Sequence, residues 1–255
     1  MNKYEVHVWW AFPNQIVDPW LIARHFSVLS ETERQRYQRF AFAHLRHQYL
    51  VSHALVRDVL SRYAPVQPQG WRFEENSYGR PAIAEPAECC GLKFSLSHST
   101  GRTVVAVASE IDLGVDVEGV LHLDDLNQIA EQHFSAIEIQ QLREHPDWFY
   151  DFWTLKEAYI KARGMGLAIP LRTFSFRIAN EERPTITFHQ GCDDQAERWQ
   201  FSLHRGEGFR MALAASFGQE YELSVTERCV VPLADAVHPR SSLPLKTFKK
   251  CHSDL

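Results

Sequence analysis

Two stretches, FSLSHSTGRTVVAVAS at residues 94–109 and FSLHRGEGFRMALAAS at residues 201–216, align without a gap at an offset of 107, with Gly101 on Gly208. Upstream, Phe73, Arg80-Pro81 and Ile83 match Phe176, Arg183-Pro184 and Ile186 at an offset of 103, and Ala54 and Arg57 match Ala158 and Lys161 at 104. Three segments in one order at nearly one offset argue for an internal duplication. Each half then reads as a long helix followed by three or more antiparallel strands, with the helix covering one sheet face. The expected fold is α+β, two similar helix-plus-sheet halves related by a pseudo-two-fold axis, with the active site in the crevice between them. The halves are expected at residues 1–118 and 119–231. Residues 232–255, with three prolines and Lys246, Lys249 and Lys250, read as a flexible tail.

Local signals fill in the elements. Tyr4 to Trp10 alternates as a half-buried strand does, with Tyr4, Val6, Val8 and Trp10 on one face. Ser30-Glu31-Thr32-Glu33 has the spacing of a capping box at a helix start. Leu45, Tyr49, Ser52, Val56, Leu60 and Tyr63 recur at helical spacing until Pro65, which predicts a helix over about 45–63.

Composition narrows the function. The chain has 255 residues, 45% apolar and 23% charged, enough for a substantial core. Its net charge of -5 lacks the whole-chain basic footprint of a nucleic-acid binder. No apolar run approaches the roughly 20 residues of a membrane helix, and the N-terminus has no secretory apolar core. A soluble, cytoplasmic protein is expected. The five cysteines are odd in number and form no C-x-x-C pair, so free thiols are expected rather than a disulfide framework or a zinc site. Residues 22–62 depart from the average: seven Arg stand against Glu31, Glu33 and Asp58, a basic segment that suits either an anionic ligand or a solvated helix face.

Three constellations could carry chemistry. In Gly114-Val115-Asp116-Val117-Glu118-Gly119 the alternation puts Asp116 and Glu118 on one strand face. Two close carboxylates repel unless a cation lies between them, which a hard divalent ion would supply; a solvated edge face is the other reading. In the helical run from Phe152 to Gly164, Glu157 and Lys161 are four apart, as in a surface ion pair. The sharper alternative is a third metal carboxylate flanked by Lys156 and Lys161 as phosphate binders. Finally, Ser95, Ser97 and Ser99 surround His98; adjacent strand residues face opposite ways, which argues against a Ser-His acyl-transfer dyad and leaves a phosphate site. Arg80, in a Gly-Arg-Pro turn, is another phosphate-competent side chain.

In order, Gly79-Arg80-Pro81, Phe94-x-x-Ser97-His98-Ser99, Gly114-Val115-Asp116-Val117-Glu118, Phe134-Ser135-x-x-Glu138 and Trp153-Thr154-Leu155-Lys156-Glu157-Ala158-Tyr159-Ile160-Lys161-Ala162-x-Gly164 resemble the 4'-phosphopantetheinyl transferase superfamily, Sfp type, over about residues 29–217. The resemblance implies transfer of 4'-phosphopantetheine from coenzyme A to a serine of an apo acyl or peptidyl carrier protein, in fatty-acid, polyketide or nonribosomal peptide synthesis, by a monomer. It implies Mg2+ on Asp116, Glu118 and Glu157. It places Ser97, His98, Arg80, Lys156, Lys161 and Arg36 on coenzyme A, with His98 and Arg80 near its 3'-phosphate end. Glu138 matches a candidate base, with a metal-bound water as its rival. The family commonly has Lys where Arg80 stands, and Glu33 and Gln48 occupy positions where relatives carry basic residues, so no ligand contact is carried onto those two. A coenzyme A or carrier-binding module without turnover, or a Mg2+-dependent nucleotide hydrolase, are the competing functions. The segment from about Leu121 to His133 is expected to form part of the carrier-docking surface.

Overall fold

The computed structural model describes residues 5–121, 125–179, 183–218 and 221–234. Its first unit runs β1 (Glu5–Ala11), α1 (Pro19–Ser27), α2 (Glu31–Arg39), α3 (Ala43–Leu60), β2 (Arg72–Glu75), β3 (Pro81–Glu85), β4 (Leu92–Ser99) and β5 (Arg102–Ser109). The second repeats that order with β6 (Leu113–Gly119), α4 (Leu126–His133), α5 (Ala136–Glu144), α6 (Phe149–Arg163), β7 (Phe174–Arg177), β8 (Thr185–Phe188), β9 (Gln200–Gly206) and β10 (Phe209–Ala215). A last strand, β11 (Ser224–Cys229), follows. The aligned stretches are β4–β5 and β9–β10, and the upstream matches fall on the hairpins β2–β3 and β7–β8 and on the helices α3 and α6.

The sheets have the orders β11-β1-β5-β4 and β6-β10-β9, antiparallel except for the parallel pair β1–β11. In each unit the first strand pairs with the last, β1 with β5 and β6 with β10. The units therefore divide ahead of β6. The boundary expected after Glu118 cuts a strand away from its own sheet, because a strand's sequence does not show whether it closes one half or opens the next; its pairing with β10 makes it the opening strand. β11 also returns to the first sheet. The start of the expected tail is packed, with Leu233 buried against the first core and the Pro232 carbonyl 2.8 Å from His25 Nε2; residues 235–255 lie outside the described residues.

Side-chain alternation builds three apolar layers. Trp9, Val105 and Val107 face α3, where they meet Val51, Leu55 and Val59. Their neighbours Val8, Val104 and Ala106 face the second sheet and pack on Val115, Val117 and Leu213. On the far side, α6 buries Phe152, Leu155 and Tyr159 against Phe174, Phe176 and Phe201. The order of layers is helix, sheet, sheet, helix.

Helix ends follow their sequence signals. The Ser30–Glu33 capping box opens α2 as expected. α3 stops at Leu60, three residues short of the expected end, as Arg62 and Tyr63 turn onto the carbonyls of Val59 and Leu60 in i to i+3 bonds. Gly164, at φ +66, closes α6 in the left-handed region.

Candidate active site

The two sheets meet edge to edge at β4 and β6, and serine side chains make the seam. Ser95, Ser97 and Ser99 Oγ accept the backbone N–H groups of Val115, Val117 and Gly119 at 3.0, 3.3 and 3.0 Å. Each such bond contributes about 1 kcal/mol net. The ladder also sets the register that brings Ser97 beside Asp116.

Beside this seam, β6 lies beneath α6. Val115 and Val117 point between the sheets, so Asp116 and Glu118 point toward the helix. Gly114 permits the close approach: a Cβ there would overlap the Ala158 carbonyl oxygen and lie 2.5 Å from the Ala162 amide nitrogen. Trp153, Glu157 and Lys161 recur every fourth residue on α6, hence on one helix face. With Leu96, Ser97, His98, Asp116 and Glu118 they line a cleft of about 340 Å³.

Asp116 is 3% exposed. Its Oδ1 accepts Ser97 Oγ at 2.8 Å and Lys161 Nζ at 2.6 Å, while Lys161 also donates to Ser97 Oγ at 2.9 Å. Lys161 thus pairs with Asp116 rather than with Glu157 four residues away. Asp116 Oδ2 is buried and has no hydrogen-bond partner among the described residues. Burial, then the charge of Asp116, pushes the Glu118 carboxyl up to about 7, even though Ser99 Oγ donates to it at 3.3 Å. The same two causes raise Glu157. Desolvation and then the Lys161 charge lower His98, which favours its neutral imidazole. Among the described residues no three His, Cys, Asp or Glu side chains converge tightly enough to hold an ion as they stand. The donor set nonetheless fits one: a hard cation would give Asp116 Oδ2 a partner and offset the Asp116 charge that, after burial, raises both Glu118 and Glu157.

The first unit matches the family model described as "4'-phosphopantetheinyl transferase, N-terminal" over residues 17–111. Residues 112–214 match the "4'-phosphopantetheinyl transferase superfamily" model, so the two matches meet ahead of β6, where the sheets divide. Among curated proteins the chain is similar to the 4'-phosphopantetheinyl transferase Sfp of Bacillus subtilis, 30% identical over 198 residues, 76% of this chain and 84% of that protein. The chain belongs to the 4'-phosphopantetheinyl transferase superfamily. Further relatives are the 4'-phosphopantetheinyl transferase gsp of Aneurinibacillus migulanus, 27% identical over 82% of this chain and 85% of its own length, and HetI of a Nostoc strain, 34% identical over 56% and 62%. The Sfp-type two-unit form and the transferase class follow from these matches.

Of the residues expected in this transferase site, the structure gathers Ser97, His98, Asp116, Glu118, Glu157 and Lys161 around the cleft. It does not bring Lys156 there. Lys156 is 0% exposed, with Nζ 2.7 and 2.9 Å from the Leu171 and Phe174 carbonyls and 2.9 Å from Glu138 Oε2. All three ammonium protons are used, so it is not placed to hold a phosphate. Glu138, also 0% exposed, accepts from Ser135 N and Phe176 N at 2.8 Å each and forms the capping box of α5. A carboxylate so enclosed cannot take a proton from a docked serine. Arg80 donates to the Ala162 carbonyl at 2.6 Å and the Leu113 carbonyl at 3.3 Å, tying the end of α6 to β6 outside the cleft lining. Arg36 is exposed on α2, with its guanidinium 5.8 Å from the centre of the Tyr49 ring.

Trp153 was missed as a site residue, although its spacing of four and eight from Glu157 and Lys161 signals the shared face. It stacks on Phe149, centroids 6.0 Å apart. Beyond it and Glu118 lies a more apolar pocket of about 450 Å³ that includes Val120, Leu121, Leu126, Ile129 and Tyr150. The expected docking segment thus contributes Leu121 and α4 to this pocket, while residues 122–124 lie outside the described residues. No described helix is long and apolar enough to cross a membrane.

Proposed function

We propose that this transferase binds coenzyme A in the cleft, with Mg2+ on Asp116, Glu118 and Glu157, and passes the 4'-phosphopantetheine group to a carrier-protein serine. Mg2+ held there would neutralise charge on the pyrophosphate and act as a Lewis acid toward it. The Lys161 ammonium, 30% exposed and already braced by Ser97, supplies a fixed positive charge where the leaving phosphate develops negative charge. Ser97 holds the carboxylate and the amine in one geometry. His98 at the mouth takes the nucleotide end, and Trp153 walls the cleft toward the apolar pocket, where a carrier helix would dock.

In the reaction the serine Oγ bonds to the pantetheine-side phosphorus, the bond from that phosphorus to the bridging oxygen breaks, and 3',5'-ADP leaves with the electron pair. With Glu138 enclosed, the serine proton falls to a carboxylate that the cleft exposes. Glu157, half-buried on the cleft wall, is the group we place in that role. We further propose a monomer acting in the cytoplasm on carriers of fatty-acid, polyketide or nonribosomal peptide synthesis.

The observation that carries this reading is the convergence of three carboxylates, a lysine and a Ser-His pair from both units on one cleft. Intact-mass analysis of separate apo carriers of the three kinds, incubated with coenzyme A and Mg2+, tests it. The expected result is a gain of one phosphopantetheine that EDTA abolishes. Coenzyme A binding without a gain on any carrier would make the protein a binding module, and 3',5'-ADP release without carrier modification would make it a hydrolase.

A further inference from the structure

α3 presents a second imidazole beside His98. Ser52 Oγ lies 2.9 Å from Thr103 Oγ1, and Thr103 is the residue directly across the β4–β5 ladder from His98. His53 follows Ser52 on α3, above the end of the β4–β5 ladder that carries His98. The His53 ring lies against Tyr49, one turn earlier, with centroids 4.0 Å apart, and Tyr49 in turn meets the Arg36 guanidinium. Arg36, Tyr49 and His53 therefore follow one another along α2 and α3, on the side of the fold where β4 carries His98 to the cleft.

His53 is held at one nitrogen only. Nδ1 is 2.9 Å from Glu33 Oε1, the side chain is 27% exposed, and Nε2 has no partner among the described residues. Glu33 is itself anchored: its Oε2 accepts Arg57 Nη2 at 2.6 Å and Ser30 N at 2.7 Å. Its hydrogen bond with His53 and the Arg57 charge outweigh burial and hold its carboxyl down at about 2. An anchored carboxylate at Nδ1 fixes the tautomer and orientation of the ring and leaves Nε2 as the nitrogen open to a ligand. Buried Arg57, 1% exposed and bonded to the Trp71 and Pro68 carbonyls, cannot reach a ligand itself. Around the His53 ring, Glu33 is bonded to it directly, Arg57 holds the other Glu33 oxygen, and Arg36 lies over the intervening Tyr49 ring.

We propose that His53 is a binding residue for the phosphate monoester of the nucleotide end of the substrate, with Glu33 as its positioning residue and His98 as its neighbour on the same phosphate. The inference rests on the coenzyme A reading. It also accounts for an acidic Glu33 within a basic segment: Glu33 serves the anion site by orienting an imidazole, not by touching the ligand.

Coenzyme A and dephospho-coenzyme A, which lacks only the 3'-phosphate, separate the possibilities by calorimetric titration of the parent protein, His53→Ala and His53→Gln. The expected result is a parent that prefers coenzyme A, and a His53→Ala variant whose Kd for coenzyme A rises roughly tenfold or more while that for dephospho-coenzyme A stays within about twofold. His53→Gln, which retains a neutral donor and serves if the alanine variant does not fold, should fall between. Equal weakening toward both ligands, or none toward either, overturns the role of His53 while leaving the coenzyme A reading intact. A parent that binds neither ligand overturns both.

Discussion

The two units share an order of elements and differ in what their first strand and long helix place against each other. On β6, Asp116 faces Ala212 and Glu118 faces Arg210 across the ladder; the aligned ladder positions on β1 are Trp9, facing Val105, and Ala11, facing Thr103. On α6, Glu157 and Lys161 align with His53 and Arg57 of α3. One unit thus turns a row of carboxylates toward its helix where the other turns an indole and a methyl group into its core. Packing follows. Gly114 lets α6 lie along β6 and β10, whereas its ladder counterpart on β1 is His7, and α3 lies chiefly over β5. In a duplicated scaffold, chemistry sits where one strand gives up side-chain volume and apolar packing.

The same contrast separates cations that look equivalent in sequence. Lys156 and Lys161 are five apart on one helix, yet one is enclosed by two carbonyls and a carboxylate and the other is 30% exposed at the cleft. Lys156→Met should leave Glu138 as an unpaired buried charge and lower stability by about 3–5 kcal/mol, the largest effect expected here, read by denaturant unfolding. Lys161→Met should cost much less stability and remove most carrier modification instead. The reverse pattern would break the distinction between the two lysines.

Gly114→Ala addresses the other side of the comparison. The added Cβ forces α6 away from β6, and we expect a loss of about 1–3 kcal/mol in urea unfolding, with a fall in transfer rate as Glu157 and Lys161 move from Asp116. Unchanged stability and rate would mean that the close approach is not what seats the site.

Much of this was legible in the sequence because it depends on periodicity. Alternation puts Asp116 and Glu118 on one face, four-residue spacing aligns Glu157 with Lys161, and the repeat identifies the paired strands. What could not be read is what covers each face. Position 156 lies on α6 beneath Leu171 and Phe174, and Arg80 meets carbonyls from two distant segments, contacts that no local pattern announces. Glu138 is different. Ser135-x-x-Glu138 has the same capping-box spacing as Ser30-x-x-Glu33, and its structural role could have been recognised from that alone. The unit to which β6 belongs is hidden for a related reason: its pairing with β10, about 100 residues on, leaves no mark in the local sequence.

The central claim is that the carboxylate face of β6, and not its apolar counterpart on β1, is where phosphopantetheine transfer occurs. The most direct test is the initial rate of carrier modification by Asp116→Ala, with circular dichroism confirming the fold. We predict a loss of roughly 10²–10³-fold, as expected when a charge-stabilising group is taken from a reaction centre. A folded Asp116→Ala protein that modifies the carrier at a near-normal rate would contradict the account.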